Sequence, residues 1–311
     1  MPQIHACLLV MLLIVCSRAS AGESVTFDTG KDQVAIAIDG KPVARYVFRD
    51  DKILRPYLAD VHARGGAQVT RNLPPVAGVD ATDHETMHPG IWLAFGDLSG
   101  SDFWRNKATV KHVRFLISPT VEDGVGKFAV LNRYVSGDKK ICEERCRLTI
   151  YPHDSGHVLI WSSTFSGDRP FTFGDQEEMG LGLRVATPLA VKNGGTLLNS
   201  DGLKNEAQVW GKQADWCDYS GHIDGKAVGV MLVPDPKNFR RSWFHARDYG
   251  FVAANPFGRN AFTKEAKSAV TVDAPGKVFR LGFAIFLHDK LDDPAAAYRD
   301  VLKVLEETGS L

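Results

Sequence analysis

Residues 33–48 read QVAIAIDGKPVARYVF, and the alternation in them sets the pattern for the chain. Val34, Ile36 and Ile38 recur at every second position, the spacing of a strand with one buried face. Asp39-Gly40 then interrupts the run, a favoured two-residue hairpin turn, before KPVARYVF resumes it. The stretch predicts two antiparallel strands joined at 39–40.

Similar runs follow: VKHVRFLISPTV, KFAVLNRYV, CRLTIYP, HVLIWSSTF, LGLRVATPLAV, AVGVMLV and VFRLGFAIFLH. Clusters such as DSG, SGD, KNGG and PDPKN separate them. Many short strands punctuated by turns, with no helical interlude, predict an all-β chain folded as a large antiparallel β-sandwich. One C-terminal helix is expected. Asp293 can cap it, Pro294 suits its first position, Val301, Leu302 and Leu305 share a face, and Gly309 stops it. With no internal repeat, low-complexity tract or linker, residues 22–311 read as a single β-sandwich domain.

The first 21 residues read differently. CLLVMLLIVC is an apolar core of signal-peptide length, and Ala19-Ser20-Ala21 is a small-residue cleavage site, although the preceding MPQIHA lacks Lys and Arg. A lipoprotein reading would use Cys16, but Val15 before it is larger than the residue such a site takes. Residues 1–21 are therefore expected to be a signal peptide and the protein to be exported, to the periplasm or outside the cell. Removing them leaves 290 of the 311 residues. No later run reaches 18 uncharged apolar residues, so no integral membrane segment is expected in the mature chain. The full chain carries 37 Lys plus Arg against 37 Asp plus Glu. No segment forms a basic stripe, which argues against nucleic acid as a partner. Three of the five cysteines lie beyond the signal: Cys142, Cys146 and Cys217. An odd number is not a disulfide framework. On one strand Cys142 and Cys146 would stand roughly 13 Å apart at ~3.3 Å per residue, too far to bond. Free thiols are expected.

Residues 84–88, HETMH, spell the H-E-x-x-H pattern of zinc peptidases. That chemistry needs a helix long enough to set two imidazoles on one side. Here GVDATD precedes the motif and Pro89-Gly90 ends any helix at once. A zincin is not expected, and neither a metal nor another cofactor is assigned. A looser metal site using His84, His88, Asp83 and Glu85 has no diagnostic spacing, and the plain alternative is that these histidines cap turns.

Four stretches carry polar and aromatic residues that folding alone does not require. FGDLSGSDFWRNK includes Trp104, and FGDQEEMGLGLRV includes Asp175 and Glu178. WCDYSG includes Asp218, and SWFHARDYGFVAANPFG includes His245, Arg247, Asp248, Tyr249 and Asn255. Sugar C–H faces stack on aromatic rings, and sugar hydroxyls pair with groups such as these. The plain reading of each residue alone is core packing or a solvated loop. The four together predict one shared, carbohydrate-sized pocket.

The same stretches carry a family resemblance. RPYLADVHARGGAQVTRN, DHETMHPGIWLAFGDLSGSDFW, DQEEMGLGLRV, WCDYSG and HARDYGFVAANPFG, in this order, resemble a family of exported bacterial proteins of unknown function. That family is often labelled PmoA-like or "methane oxygenase". The likeness runs from about residue 50 to 290. The oxygenase subunit of that name spans membranes with many helices, and this chain lacks such segments after residue 21, so oxygenase chemistry is set aside. The resemblance implies a fold similar to the galactose-mutarotase-like supersandwich, and company with sugar-degrading systems.

By analogy with mutarotase-like sandwiches, His84, His88 and His245 would supply acid chemistry or orientation. Glu178 is then the candidate base and Asp175 the second candidate. Arg247 and Asn255 would hold hydroxyls or a carboxylate, Trp92, Trp104 and Tyr249 would form stacking walls, and Asp218 and Asp248 complete the expected binding set. Epimerisation, glycoside hydrolysis or elimination on an oxidised sugar all fit this set. The alternatives are a non-catalytic carbohydrate-binding protein and a metal-dependent hydrolase.

Overall fold

A computed structural model describes residues 24–309. The expected signal peptide lies outside the described residues. The opening hairpin forms as anticipated, with Gln33–Ile38 paired to Lys41–Val47. Asp39 and Gly40 take φ of 50° and 72°, the left-handed values of a type I′ turn. Val34, Ile36 and Ile38 are buried on its inner face.

This hairpin belongs to a nine-stranded antiparallel sheet. From its first edge the order is Val25–Thr29, Gln33–Ile38, Lys41–Val47, Tyr57–Ala59 and Ile91–Phe95. It continues with Met179–Arg184, Phe251–Asn255, Trp243–Arg247 and Lys212–Gln213. An eight-stranded sheet stacks against it, in the order Thr196–Asn199, Cys217–Ile223, Lys226–Pro234, Phe279–His288, Gly156–Ser166, Lys139–His153, Val125–Ser136 and Thr109–Glu122. Phe171–Phe173 and Val270–Val272 form a small ribbon. Cys142, Cys146 and Cys217 are buried free thiols.

Strand parity decides what each sheet face carries, since successive side chains point to opposite sides. Ile91, Leu93, Phe95, Leu181, Leu183, Val252, Ala254, Phe244 and Ala246 belong to the core shared by the two sheets. The interleaved residues Trp92, Arg184, Phe251, Asn255, His245 and Arg247 therefore point to the other face of the nine-stranded sheet. Trp92, Ala94, Phe251 and Ala253 pack there with Trp104, Ile53 and Tyr57 in a separate apolar cluster. Gly182 makes room for the two indoles, because a Cβ there would come within 2.6 Å of the Trp92 ring and 3.0 Å of the Trp104 ring.

The C-terminal helix spans Pro294–Thr308. Asp293 Oδ1 accepts from the main-chain NH groups of Ala295 and Ala296 at 3.0 Å each, and Gly309 ends the helix in the left-handed region. Its buried residues are Ala297, Val301, Val304 and Leu305. They pack on Val158, Ile160, Val233 and Phe286, on the eight-stranded sheet's face away from the shared core.

One expected strand is shorter than its sequence suggests. The strand in LGLRVATPLAV ends at Arg184, with one further isolated bridge from Val185 to Thr70, and 3₁₀ turns at Thr187–Leu189 and Val191–Asn193 take over. Pro188 cannot donate to a ladder, so the chain leaves the sheet there. Two five-residue helices, Asn205–Val209 and Arg259–Thr263, interrupt a stretch read as strands and turns.

Candidate functional site

Residues 83–87 form a single turn, closed by the His88 main-chain NH donating to the His84 carbonyl at 2.9 Å. No helix extends it, as Pro89-Gly90 anticipated. His84 sits at φ 51°, uncommon for a residue with a Cβ. The turn is pinned from below. Arg71, buried, donates to the carbonyls of Ala81, Asp83, His84 and His88. Arg55 donates to the Met87 carbonyl, and Asn106 to that of Thr86 at 3.0 Å.

Arg184, 1 % exposed, rises from the sheet and grips Asp83 with two hydrogen bonds of 3.0 and 2.9 Å. Its guanidinium also lies 4.4 Å from the centre of the Tyr249 ring. Asp83 Oδ2 in turn lies 2.7 Å from His84 Nδ1. Partial burial acts to raise the Asp83 carboxyl, but the hydrogen bonds from Arg184 and His84 hold it well below the usual carboxylate range. His84 stacks on His88, with ring centres 4.7 Å apart and planes within 10°, and its ring is nearly parallel to that of Tyr249 at 6.0 Å. His88 continues the stack onto Phe251 at 4.5 Å and Trp92 at 5.1 Å. Burial, then the charges of His84 and the neighbouring arginines, pushes the His88 ring down to about 2. It is a neutral ring at ordinary pH.

Asp83, His84, Arg184, Thr187, Lys192 and Tyr249 line a hollow of about 590 Å³, within the range of small-molecule sites. Of the residues singled out in the sequence, it contains Asp83, His84 and Tyr249. A second group lies on the other side of Phe251, whose ring centre is 5.1 Å from that of His245. His245 is 5 % exposed, and neither ring nitrogen has a hydrogen-bond partner. Glu177 Oε2 stands 3.8 Å from its Nε2 and 3.9 Å from Arg247. Burial, helped by Arg247 and Arg105, pushes the ring down to about 3; the Glu177 main chain opposes this without reaching hydrogen-bond geometry. Glu178 forms an ion pair with Arg105.

The remaining expected site residues serve the scaffold. Trp92 and Trp104 are fully buried, so they are floor rather than walls. Asp175 accepts from the main-chain NH groups of Asn260, Ala261 and Ser268 and thereby starts the short helix Arg259–Thr263. Asn255 donates to the carbonyls of Gln176 and Glu177 and accepts from the Phe257 NH, fixing the approach to Glu178. Asp248 accepts from the Glu206 NH. Asp218 is paired with His288 Nε2 at 2.7 Å on the eight-stranded sheet, beside Met231 of the helix-covered cluster. The structure does not bring it to the others. Its neighbours Cys217 and Tyr219 belong to the shared core, and parity turns Asp218 away.

The sequence reading missed Arg184, Arg71 and Lys192. A charged residue ending an otherwise apolar run, as in MGLGLR, is the signal that would have found Arg184, since a buried charge demands a partner. Among the described residues no three His, Cys, Asp or Glu side chains group as metal ligands, and the His84 and His88 rings stack rather than converge on a point.

A sandwich of two large antiparallel sheets with this loop-built face is the class of protein that fold and site define. The chain belongs to a family of unknown function (DUF6807), whose model matches residues 33–300. The label PmoA-like is not part of that match. No curated protein matches the chain in sequence. Among solved structures it is similar to an α-galactosidase from Lactobacillus brevis, with TM-score 0.42 and 10 % identity over 86 % of this chain and 39 % of that one. It is similar also to galactose mutarotase-like proteins from Clostridium acetobutylicum (TM-score 0.39, 8 % identity, 86 % and 99 % covered) and Lactobacillus casei (0.37, 12 %, 85 % and 100 %). The chain thus spans about two fifths of the α-galactosidase. No helix among the described residues is long and apolar enough to cross a membrane.

Proposed function

We propose that this is an exported carbohydrate-active enzyme, which takes a sugar or oxidised sugar into the hollow beside His84 and moves a proton on it. The observation that carries this reading is the Asp83–His84 pair at 2.7 Å in the wall of that hollow. With its Nδ1 hydrogen donated to Asp83, a neutral imidazole presents the lone pair of Nε2, the arrangement of an oriented general base. Arg184 keeps Asp83 ionised and fixed, so the ring is oriented before substrate arrives. Tyr249 offers a half-buried aromatic face for a sugar ring. Lys192 and Asn193 line the same hollow and present groups suited to hydroxyls or a carboxylate. We assign the base to His84 rather than to Glu178, whose carboxylate Arg105 engages. Epimerisation, glycoside hydrolysis and elimination all begin or end with such a proton transfer.

The test is turnover of a panel of neutral sugars, uronic acids and their glycosides by purified protein, alongside the His84→Asn variant. Loss of turnover in the variant, by roughly 10² or more, with substrate still bound is the expected result. Full turnover in the variant overturns the assignment. Binding without turnover in the unaltered protein marks it as a carbohydrate-binding protein instead.

A further inference from the structure

The helix Pro294–Thr308 covers only part of the outer face of the eight-stranded sheet, and a different surface begins where it ends. Arg145 in Lys139–His153, Thr164 in Gly156–Ser166 and Arg280 in Phe279–His288 are register partners in one row across three strands. Two residues along, Arg147 is the partner of Ser162. Cys146, Trp161, Phe165 and Leu281, which alternate with these residues, belong to the shared core. Parity therefore turns the three arginines and two hydroxyls outward together.

These five side chains line one hollow of about 250 Å³, with Gly309 beyond the helix at its edge. Neighbouring strands lie ~4.8 Å apart, so Arg145 and Arg280, on either side of Thr164, start ~10 Å apart and can close on one point above it. Arg147 is held at the rim by donating to the Gly309 carbonyl. Ser162 is 7 % exposed and its Oγ has no hydrogen-bond partner. No carboxylate lines the hollow, and none of the three arginines forms an ion pair with one among the described residues. Of the acids along these strands, Glu143 faces Arg133 at 2.8 Å and Asp168 faces Lys140 at 2.5 Å, charge for charge. Glu306 and Glu307 on the helix's last turn leave two carboxylates against three guanidinium groups, and Glu307 accepts from the Tyr151 hydroxyl. Like charges set side by side on a sheet repel, and a buried hydroxyl without a partner is a cost. An anion in the hollow relieves both.

We infer that this hollow binds a tetrahedral oxyanion, a phosphate or sulfate group, between Arg145, Arg147 and Arg280 and over the hydroxyls of Ser162 and Thr164. Guanidinium forks match the paired oxygens of such a group, and the hydroxyls can donate to the remaining ones. The volume lies below the ~300 Å³ at which small-molecule sites begin, so the hollow takes an ion-sized group rather than a sugar ring. The site lies on the opposite sheet from His84 and stands whether or not that residue is a base.

Calorimetry on the full chain at low ionic strength tests it, with inorganic phosphate, inorganic sulfate and acetate as probes. Heat of binding is the readout, because phosphate and sulfate stabilise folded chains by exclusion from the surface in any case. Saturable binding of phosphate or sulfate, roughly tenfold or more tighter than acetate, is the expected result. R145Q/R280Q should weaken it by roughly tenfold or more. Ser162→Ala should weaken it by about threefold, while the unfolding midpoint without anion stays level or rises, since the Oγ has no partner to lose. His84→Asn should leave the affinity unchanged. A sugar phosphate and a sugar sulfate then separate the sources: an ester that binds as tightly as the free ion marks the end group of a larger ligand, and exclusion of both esters marks the free ion. No saturable binding, acetate binding as tightly as phosphate and sulfate, or undiminished affinity in either the arginine or the serine variant would each overturn the inference.

Discussion

The two sheets bury one core between them and differ on the faces turned away from it. On the eight-stranded sheet, the helix Pro294–Thr308 lays Val301, Val304 and Leu305 over Ile160, Val233 and Phe286. The polar pair near that cluster, Asp218 with His288, is closed at 2.7 Å. On the nine-stranded sheet the cover is made of loops, and Arg55, Arg71, Arg184, His88 and His245 are buried among aromatic rings. Trp92 Nε1, Trp104 Nε1, His88 Nδ1 and both nitrogens of His245 lack partners there. Each such group costs about 1–3 kcal/mol against a paired one. The loop-covered face thus leaves more buried polar atoms unpaired than the helix-covered one, where Ser162 Oγ lacks a partner.

The hardest blow to this contrast would come at Arg184. Arg184→Met removes a guanidinium that is 1 % exposed and leaves Asp83 without its two hydrogen bonds. Breaking a buried pair in this way costs about 3–5 kcal/mol, toward the lower end because the Asp83 side chain is 38 % exposed. Chemical denaturation measures it. A loss under about 1 kcal/mol would place this pair among surface ion pairs and remove the rigid support proposed for His84.

Next in size is Leu305→Ala on the helix side. Truncating a buried Leu costs roughly 2–5 kcal/mol, and the lower half of that range suits a site at one end of the apolar cluster. Saccharide binding should not change. A variant that weakened binding as well would show that the two outer faces are coupled through the shared core.

The pH dependence sharpens the comparison further. His88 and His245 are pushed down to about 2 and about 3 by burial, whereas an unfolded histidine titrates near ~6.5. Between these values the unfolded chain binds protons that the folded chain refuses, so stability falls as pH drops below ~6.5. Each ring contributes at most about 1.4 kcal/mol per pH unit. His288 has the opposite sign. Burial opposes its charge, but Asp218 raises its pKa above the ordinary value, so its contribution is present below ~6.5 and is lost as pH rises through the raised value. His88→Phe should flatten the acid limb of a plot of denaturation midpoint against pH, and His288→Gln should leave that limb in place. An unchanged acid limb in His88→Phe would mean that this ring is open to water.

What the sequence showed of all this was the local part. The 39–40 turn, the helix with Asp293 and Gly309 at its ends, and the arrest of HETMH at Pro89-Gly90 each depend on neighbours a few residues away. The pairing of Asp83 with Arg184 joins positions 101 apart; the apolar run marks Arg184, but nothing near it names Asp83 as the partner. Asp175 and Asn255 look like site residues because they are polar and clustered with aromatics. The Asp175 oxygens are taken by main-chain NH groups 85 residues and more away, and the Asn255 amide donates to carbonyls 79 and 78 residues away. Asp218 was readable in principle. Between Cys217 and Tyr219, both core residues, strand parity forces it to the opposite side from them.

The smallest expected change in stability is at the residue given the central role. His84 is held at φ 51°, a conformation that Asn accepts more readily than most residues. Its ring is partly exposed, and it gives up one hydrogen bond and two ring contacts on substitution. His84→Asn should therefore shift stability by no more than about 0.5 kcal/mol in either direction, measured by thermal and urea unfolding at pH 7. Backbone strain relieved by Asn offsets the lost contacts. Turnover lost at unchanged stability is the signature of a side chain kept for chemistry. A loss of several kcal/mol would instead make the two histidines part of the aromatic packing with Tyr249, Phe251 and Trp92, with the hollow beside them incidental.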